Sequence, residues 1–89
     1  MKEFNVTFSL LALEDIKQAT EYYEQVRSGL SKRFNIELLI TLNKIRRNAY
    51  YASVRYNNVR CAQINKFPYL VHYQVDIKDN VIIIAVYST

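Results

Sequence analysis

The sequence contains few of the residues that build loops, cross-links and metal sites: one glycine, one proline, one cysteine, one histidine and no tryptophan. A single cysteine excludes an intrachain disulfide and is typical of a reducing compartment. One glycine excludes a glycine-rich phosphate loop, and one histidine with one cysteine gives no metal-ligand spacing. The longest apolar run, residues 81–87, is too short to span a bilayer, and no signal-peptide pattern is present. We therefore expect a cytoplasmic protein with no membrane segment, no metal and no cofactor.

The length of 89 residues and the high apolar content indicate a single globular domain. Hydrophobic residues make up 51% of the chain, with eight tyrosines and four phenylalanines, and this composition excludes a disordered chain. A chain of this length fills one core and buries about 60% of its unfolded surface. Its stability alone is therefore small, which favours a permanent protein partner.

Positive charge is concentrated in the middle of the chain. The net charge is +4, but residues 31–66 alone carry eight lysine and arginine side chains against one carboxylate, Glu37. The first 30 residues carry five carboxylates against three cations. A basic segment of this kind favours an anionic partner, either nucleic acid or an acidic protein segment. A solvated helix face that keeps the protein soluble explains the same pattern equally well.

The N-terminal third of the chain predicts a strand and a helix. Residues 4–8 alternate apolar and polar side chains, which is typical of a strand. Ser9 follows as the N-cap of a helix over residues 10–28. Gly29 is expected to take the left-handed conformation that ends this helix. The predicted buried stripe, at three- and four-residue spacing, consists of Leu13, Ile16, Ala19, Tyr23 and Val26.

A second helix is predicted from Ser31, as its N-cap, to about Asn48, antiparallel to the first. Its core stripe consists of Phe34, Leu38, Leu42 and Ile45. Three further apolar residues, Ile36, Leu39 and Ile40, make this stripe wider than one core contact requires. They either pack on the first helix and the sheet or, with basic residues nearby, form a docking surface for a protein segment. The sequence leaves both possibilities open.

The second half of the chain predicts short antiparallel strands, over residues 54–56, 59–65, 69–76 and 81–87. Turn residues separate them at positions 57–58, 66–68 and 79–80. On the strand after Pro68 the odd-numbered residues are apolar and should face the core, while the face with His72 should be wetter. The run 81–87 predicts an interior strand covered on both faces. The fold class is therefore α+β: an N-terminal strand, a helix hairpin, and a three- to four-stranded antiparallel sheet.

Short motifs along nearly the whole chain point to a known family. They are FNVTFS at 4–9, ALEDI at 12–16, YYE at 22–24, GL at 29–30, Phe34, NVR at 58–60, KFPY at 66–69, Tyr73 and AVY at 85–87. Their order and spacing are more specific than any one of them, most of all Arg60 followed by Phe67-Pro68-Tyr69. In this arrangement the sequence resembles the RelE/ParE superfamily of bacterial toxins, and its ParE-like branch in particular.

The resemblance implies a small toxin that is neutralised by binding an antitoxin protein. One branch of the superfamily cleaves messenger RNA on the ribosome, with a lysine and arginine cluster and a late tyrosine. The other branch inhibits DNA gyrase. Leu70 stands where the cleaving enzymes carry arginine, so the resemblance favours a non-enzymatic gyrase inhibitor. A ribosome-dependent endoribonuclease and a toxin-like domain without toxic activity remain open as alternatives. No sequence-specific DNA binding is expected.

Two sets of site residues follow from these hypotheses. RNA cleavage without a metal needs proton-transfer groups and cations on the phosphate, and Arg60, Lys66 and His72 are the candidates for it. Antitoxin binding requires apolar anchors and charge contacts with an acidic segment. For these we predict Ile36, Leu39 and Ile40 as anchors, and Arg55, Arg60 and Lys66 as charge contacts.

Overall fold

The computed structural model describes residues 3–88, and two helices and five strands follow one another in the predicted order. The strands and helices are β1 (Asn5–Phe8), α1 (Leu10–Val26), α2 (Leu30–Arg47), β2 (Val54–Tyr56), β3 (Val59–Gln63), β4 (Tyr69–Val75) and β5 (Asn80–Ser88). The α+β fold class is confirmed, and the predicted boundaries differ from these by one or two residues. No helix within residues 3–88 is long and apolar enough to cross a membrane.

All five strands form one sheet in the order β1-β5-β4-β3-β2. The last four strands of the chain pair antiparallel, as predicted. The N-terminal strand β1 joins the same sheet as its one parallel member and pairs with β5 from Asn80 to Ile83. The strand β5 therefore lies inside the sheet, between β1 and β4, which explains its nearly continuous apolar sequence.

Helix α1 begins at the predicted N-cap. Ser9 accepts a hydrogen bond from the Ala12 amide at 3.0 Å, and the buried side chains are Ala12, Ala19 and Tyr23. The prediction that Leu13 and Val26 belong to the buried stripe is wrong, because both are at least half exposed. Each helical residue is rotated by about 100° from the last. The side of α1 that carries Ala12 and Ala19 packs on the sheet, and in this orientation Leu13 and Val26 lie on the exposed flanks of the helix.

The N-cap of helix α2 lies two residues earlier than predicted. Gly29 has the predicted left-handed conformation, with φ +86°, but it is the N-cap of α2. The prediction that Gly29 ends the first helix is wrong, because the C-cap of α1 is Arg27, in an extended conformation. The prediction of Ser31 as N-cap is wrong: it lies within the first turn, and its hydroxyl donates to the Glu24 carboxylate at 2.6 Å. The predicted core stripe is confirmed, since all four of its side chains are buried.

The core lies between the two helices and one face of the sheet, and aromatic rings fill one end of it. The ring centroids of Tyr23, Phe34, Phe67 and Tyr69 lie 5.0 to 5.9 Å apart, mostly edge to face. Pairs in this geometry contribute about 0.5–1.5 kcal/mol each beyond their buried area. Phe67 reaches this cluster because the corner after β3 turns at Lys66, whose φ is +70°. Pro68 lies exposed at the same corner, as predicted.

The other face of the sheet, here called the open face, carries no helix among residues 3–88. A β-bulge shifts the register between β4 and β5, so that His72 pairs with Ala85 while Tyr73 pairs with Ile83. The bulge leaves Ile84 without a partner and places Tyr87 on the open face with His72. The prediction that β5 is covered on both faces is wrong for Ile82 and Tyr87, because both are exposed.

Candidate functional site

Arg60 and His72 lie on opposite faces of the sheet. Arg60 pairs with Tyr73 across the strands, and its side chain lies on the helix side of β3. There its Nη1 donates to the Ala52 carbonyl at 2.6 Å, and the guanidinium lies 5.0 Å from the centre of the Tyr50 ring. Arg60 therefore holds the segment between α2 and β2 in place, and its guanidinium group stabilises the fold there.

His72 lies buried at the centre of a small cluster of side chains on the open face. Its side chain is only 4% exposed, so the prediction of a wetter environment is wrong. Its Nδ1 lies 3.0 Å from the Tyr56 hydroxyl and 3.3 Å from the Cys61 thiol, while Tyr87 stacks on the ring. Among residues 3–88 its Nε2 has no hydrogen-bond partner. Cys61 is the residue of β3 that pairs with His72 of β4.

The pKa shifts of His72, Cys61 and Tyr56 all favour their neutral forms near pH 7. Burial lowers the pKa of His72, the Arg55 charge lowers it further, and the Asp15 carboxylate opposes both effects. Burial raises the pKa of the Cys61 thiol. The pKa of Tyr56 is raised, first by its hydrogen bond with Tyr87 and then by burial. A site with these pKa values offers neither a thiolate nor a charged imidazole for catalysis.

The three candidate residues for RNA cleavage do not converge. Arg60 faces the helices, His72 faces the other way, and Lys66 lies exposed in the corner between β3 and β4. The hydrogen bonds within residues 3–88 join none of the three to another. The described residues also contain no group of three or more histidine, cysteine or acidic side chains that could hold a metal ion.

Helix α2 exposes an apolar triplet on the side away from the sheet. Ile36, Leu39 and Ile40 are 49%, 56% and 44% exposed. Spacings of three and four residues put them on one face, opposite the core stripe. The structure therefore decides against packing of the triplet on α1 and the sheet, one of the two possibilities that the sequence left open.

Basic side chains border the triplet at both ends of the helix. Lys32 and Arg33 precede it, and Lys44 and Arg47 follow it on the same side of α2. A shallow cleft of about 320 Å³ lies between Ile40 and these last two cations. We call the triplet and these four cations the α2 outer surface. Within residues 3–88 none of the four donates a side-chain hydrogen bond, unlike Arg46, which donates to Asn43.

The predicted charge contacts do not lie together with this surface. Arg55 is exposed on the edge strand β2, close enough to His72 to affect its pKa. Arg60 is held by Ala52, and Lys66 occupies the corner before β4. The sequence indicated basic residues near the triplet, but the predicted charge contacts were placed on Arg55, Arg60 and Lys66. Of the four cations that border the triplet on α2, Lys32 and Lys44 lie four residues from it.

Comparison with known proteins places this arrangement in a family. A family model described as "ParE toxin of type II toxin-antitoxin system, parDE" matches residues 6–89. Among solved structures, the chromosomal ParDE toxin-antitoxin system from P. aeruginosa superposes with a TM-score of 0.84 at 10% identity, over 100% of this chain and 99% of that one. The RelBE2 toxin-antitoxin complex from Mycobacterium tuberculosis gives 0.69 at 16% identity, over 98% and 99%.

The intact E. coli RelBE toxin-antitoxin complex gives a TM-score of 0.54 at 18% identity, over 97% of this chain and 96% of that one. At such identities these structures establish the fold and not the activity. No curated protein sequence matches the chain. The family model covers almost the whole chain, and the chain therefore belongs to the ParE toxin family of type II toxin-antitoxin systems.

Proposed function

We propose that this toxin is neutralised by an antitoxin whose acidic, amphipathic segment docks on the α2 outer surface. The observation that carries the proposal is the exposed triplet Ile36, Leu39 and Ile40 between two pairs of cations. The solved relatives were determined as toxin-antitoxin systems or complexes, which supports a protein partner for this chain.

The apolar triplet supplies most of the affinity in this proposal. Full burial of an isoleucine or leucine side chain contributes about 1.5–3 kcal/mol, and each of these is already about half covered. Burying the remainder of all three therefore contributes on the order of 3 kcal/mol, before the cost of ordering the partner. The bordering cations then select an acidic partner and set its orientation and association rate.

The target that we propose is DNA gyrase, inhibited without chemical catalysis. Two features support this choice over RNA cleavage. Arg60 and His72 are separated by the sheet, and His72 lies buried beneath the Tyr87 ring, out of reach of a phosphate held by Arg60. Metal-free cleavage of RNA requires a base, an acid and phosphate-binding cations within reach of the same phosphate.

Docking is tested with the product of the adjacent reading frame as antitoxin. The double variant Ile36→Ser with Ile40→Ser should abolish co-purification of the antitoxin while the thermal unfolding midpoint stays close to that of the unchanged protein. Val54→Ser, which alters an equally exposed apolar side chain on β2, is the matched control and should retain the antitoxin. Full retention by the double variant would show that the antitoxin binds elsewhere.

The target is tested in two assays run side by side. Purified toxin should inhibit gyrase supercoiling, and added antitoxin should relieve the inhibition. Primer-extension mapping after induced expression should show no discrete cuts in translated messages. Discrete cuts would overturn the gyrase proposal and favour the endoribonuclease. Absence of both effects, with unimpaired growth, would favour a toxin-like domain that acts only in complex formation.

A further inference from the structure

The strand β5 has a free edge beyond the end of β1. Pairing with β1 ends at Ile83, whereas β5 continues to Ser88. No strand among residues 3–88 pairs with this edge of residues 84–88. Because backbone groups alternate in direction along a strand, the amide of Val86, its carbonyl and the amide of Ser88 all point to this edge. An exposed strand edge of this kind is a template for another strand.

Two side chains occupy part of the edge. The Ser9 hydroxyl donates to the Ile84 carbonyl at 3.0 Å. The Asp15 carboxylate reaches over from α1 and accepts the Val86 amide hydrogen through Oδ2 at 3.0 Å. Asp15 thus takes the position that the carbonyl oxygen of a neighbouring strand would occupy. The Val86 carbonyl and the Ser88 amide have no such substitute among residues 3–88.

A cleft of about 320 Å³ runs beside this edge, between α1 and the ends of β4 and β5. Tyr22 forms its helix wall, and Tyr69 lies on its sheet side. Tyr22 shares one flank of α1 with Leu11 and Val26, and all three are more than half exposed. Apolar side chains of an added strand would therefore pack against these exposed apolar side chains of α1.

We propose that the free edge of β5 accepts an extended segment of a partner protein as a sixth strand. A backbone carbonyl of that segment replaces Asp15 as the acceptor of the hydrogen bond from the Val86 amide. Every second side chain of the segment is apolar and enters the cleft. Asp15 is the one charged residue among those lining the cleft. The segment is consequently neutral or basic, in contrast to the acidic segment proposed for α2. This strand addition does not depend on docking at the α2 outer surface.

The probe is the synthetic peptide Lys-Val-Thr-Val-Thr-Val-Lys, titrated into the isotopically labelled full chain and followed by NMR. The largest shifts should fall on the amides of Val86 and Ser88, and the Ser88 amide should become protected from hydrogen exchange. The same peptide with alternate amides N-methylated keeps its side chains but cannot form the ladder, and it should not bind. Equal binding of the methylated peptide, or shifts confined to α1, would overturn strand addition.

Two variants of Asp15 test its role as a competitor. Asp15→Ala frees the Val86 amide and should tighten peptide binding about tenfold, the value of one hydrogen bond to a charged group. Asp15→Asn removes the same charge but keeps an accepting oxygen, and should tighten binding less than about threefold. Equal tightening by the two would show that the hydrogen bond from the Val86 amide to Asp15 does not limit peptide binding, and would overturn the competition. If Asp15→Ala fails to fold, Tyr22→Ser serves instead. It leaves the edge intact and should weaken binding, and unchanged binding would remove the cleft from the proposal.

Discussion

Tyr87 lies flat on His72 on the open face of the sheet, with ring centroids 4.2 Å apart and planes 21° from parallel. The two residues are on different strands and meet because Leu70 pairs with Tyr87 and His72 with Ala85. The stack closes the imidazole off from water, and burial is the main cause of its lowered pKa. The neutral form is therefore the one that the fold stabilises.

This burial predicts a loss of stability in mild acid. The unfolded chain protonates His72 at pH values where the folded protein leaves it neutral. The free energy of unfolding should therefore fall as the pH drops below about 6.5, the usual histidine pKa. His72→Phe keeps a stacked ring but cannot titrate, and its stability should be nearly constant between pH 7 and pH 5.5. Urea unfolding at both pH values checks this. An equal fall in the variant would assign the acid sensitivity to other groups.

The buried hydroxyl of Tyr73 predicts a loss of stability at high pH. Its hydroxyl donates to the Ala49 carbonyl at 2.8 Å inside the core, and burial raises its pKa to about 12. The unfolded tyrosine loses its proton near pH 10, so stability should decline from there upward. Tyr73→Phe should lessen this decline and cost about 1–2 kcal/mol at pH 7, because the Ala49 carbonyl loses its partner. Denaturant unfolding at pH 7 and pH 10.5 measures both effects, and an unchanged stability at pH 7 would contradict the buried hydrogen bond.

The two sides of α2 should respond differently to truncation. Phe34→Ala removes a fully buried ring from the aromatic cluster and should cost about 3–5 kcal/mol. Ile40→Ala, on the exposed side of the same helix, should change the free energy of unfolding by less than about 0.5 kcal/mol. Chemical denaturation of both variants provides the comparison. A cost for Ile40→Ala as large as that for Phe34→Ala would mean that the triplet is buried and cannot be a docking surface.

Local patterns in the sequence predicted the features that local chemistry determines. The N-cap at Ser9, the left-handed Gly29 and the buried stripe from Phe34 to Ile45 each depend on a few neighbouring residues, and all three are confirmed. The orientation of α1 was missed, because Leu13 fits an apolar period as well as Ala12 does. Which of them is buried depends on the sheet beneath the helix.

The surroundings of His72 could not be predicted for a different reason. They combine residues from β2, β3 and β5, and the register between these strands is determined by turns and by the bulge at Ile84. A shift of one residue reverses the face of every side chain that follows it. The placement of β1 beside β5 is likewise a long-range pairing that no local pattern reports.

The cations of the α2 outer surface should act on the rate of antitoxin binding. We expect the double variant Lys44→Glu with Arg47→Glu to reduce the association rate constant about tenfold or more at low salt, since exposed charges steer the encounter of two proteins. The dissociation rate should change much less, because the apolar triplet remains intact. Surface plasmon resonance at two salt concentrations measures both constants, and the difference between variant and unchanged protein should shrink at high salt. Arg27→Glu, a charge reversal just beyond the end of α1, is the control. An equal effect of this control would mean that net charge governs association, and the cations on α2 would then have no special role.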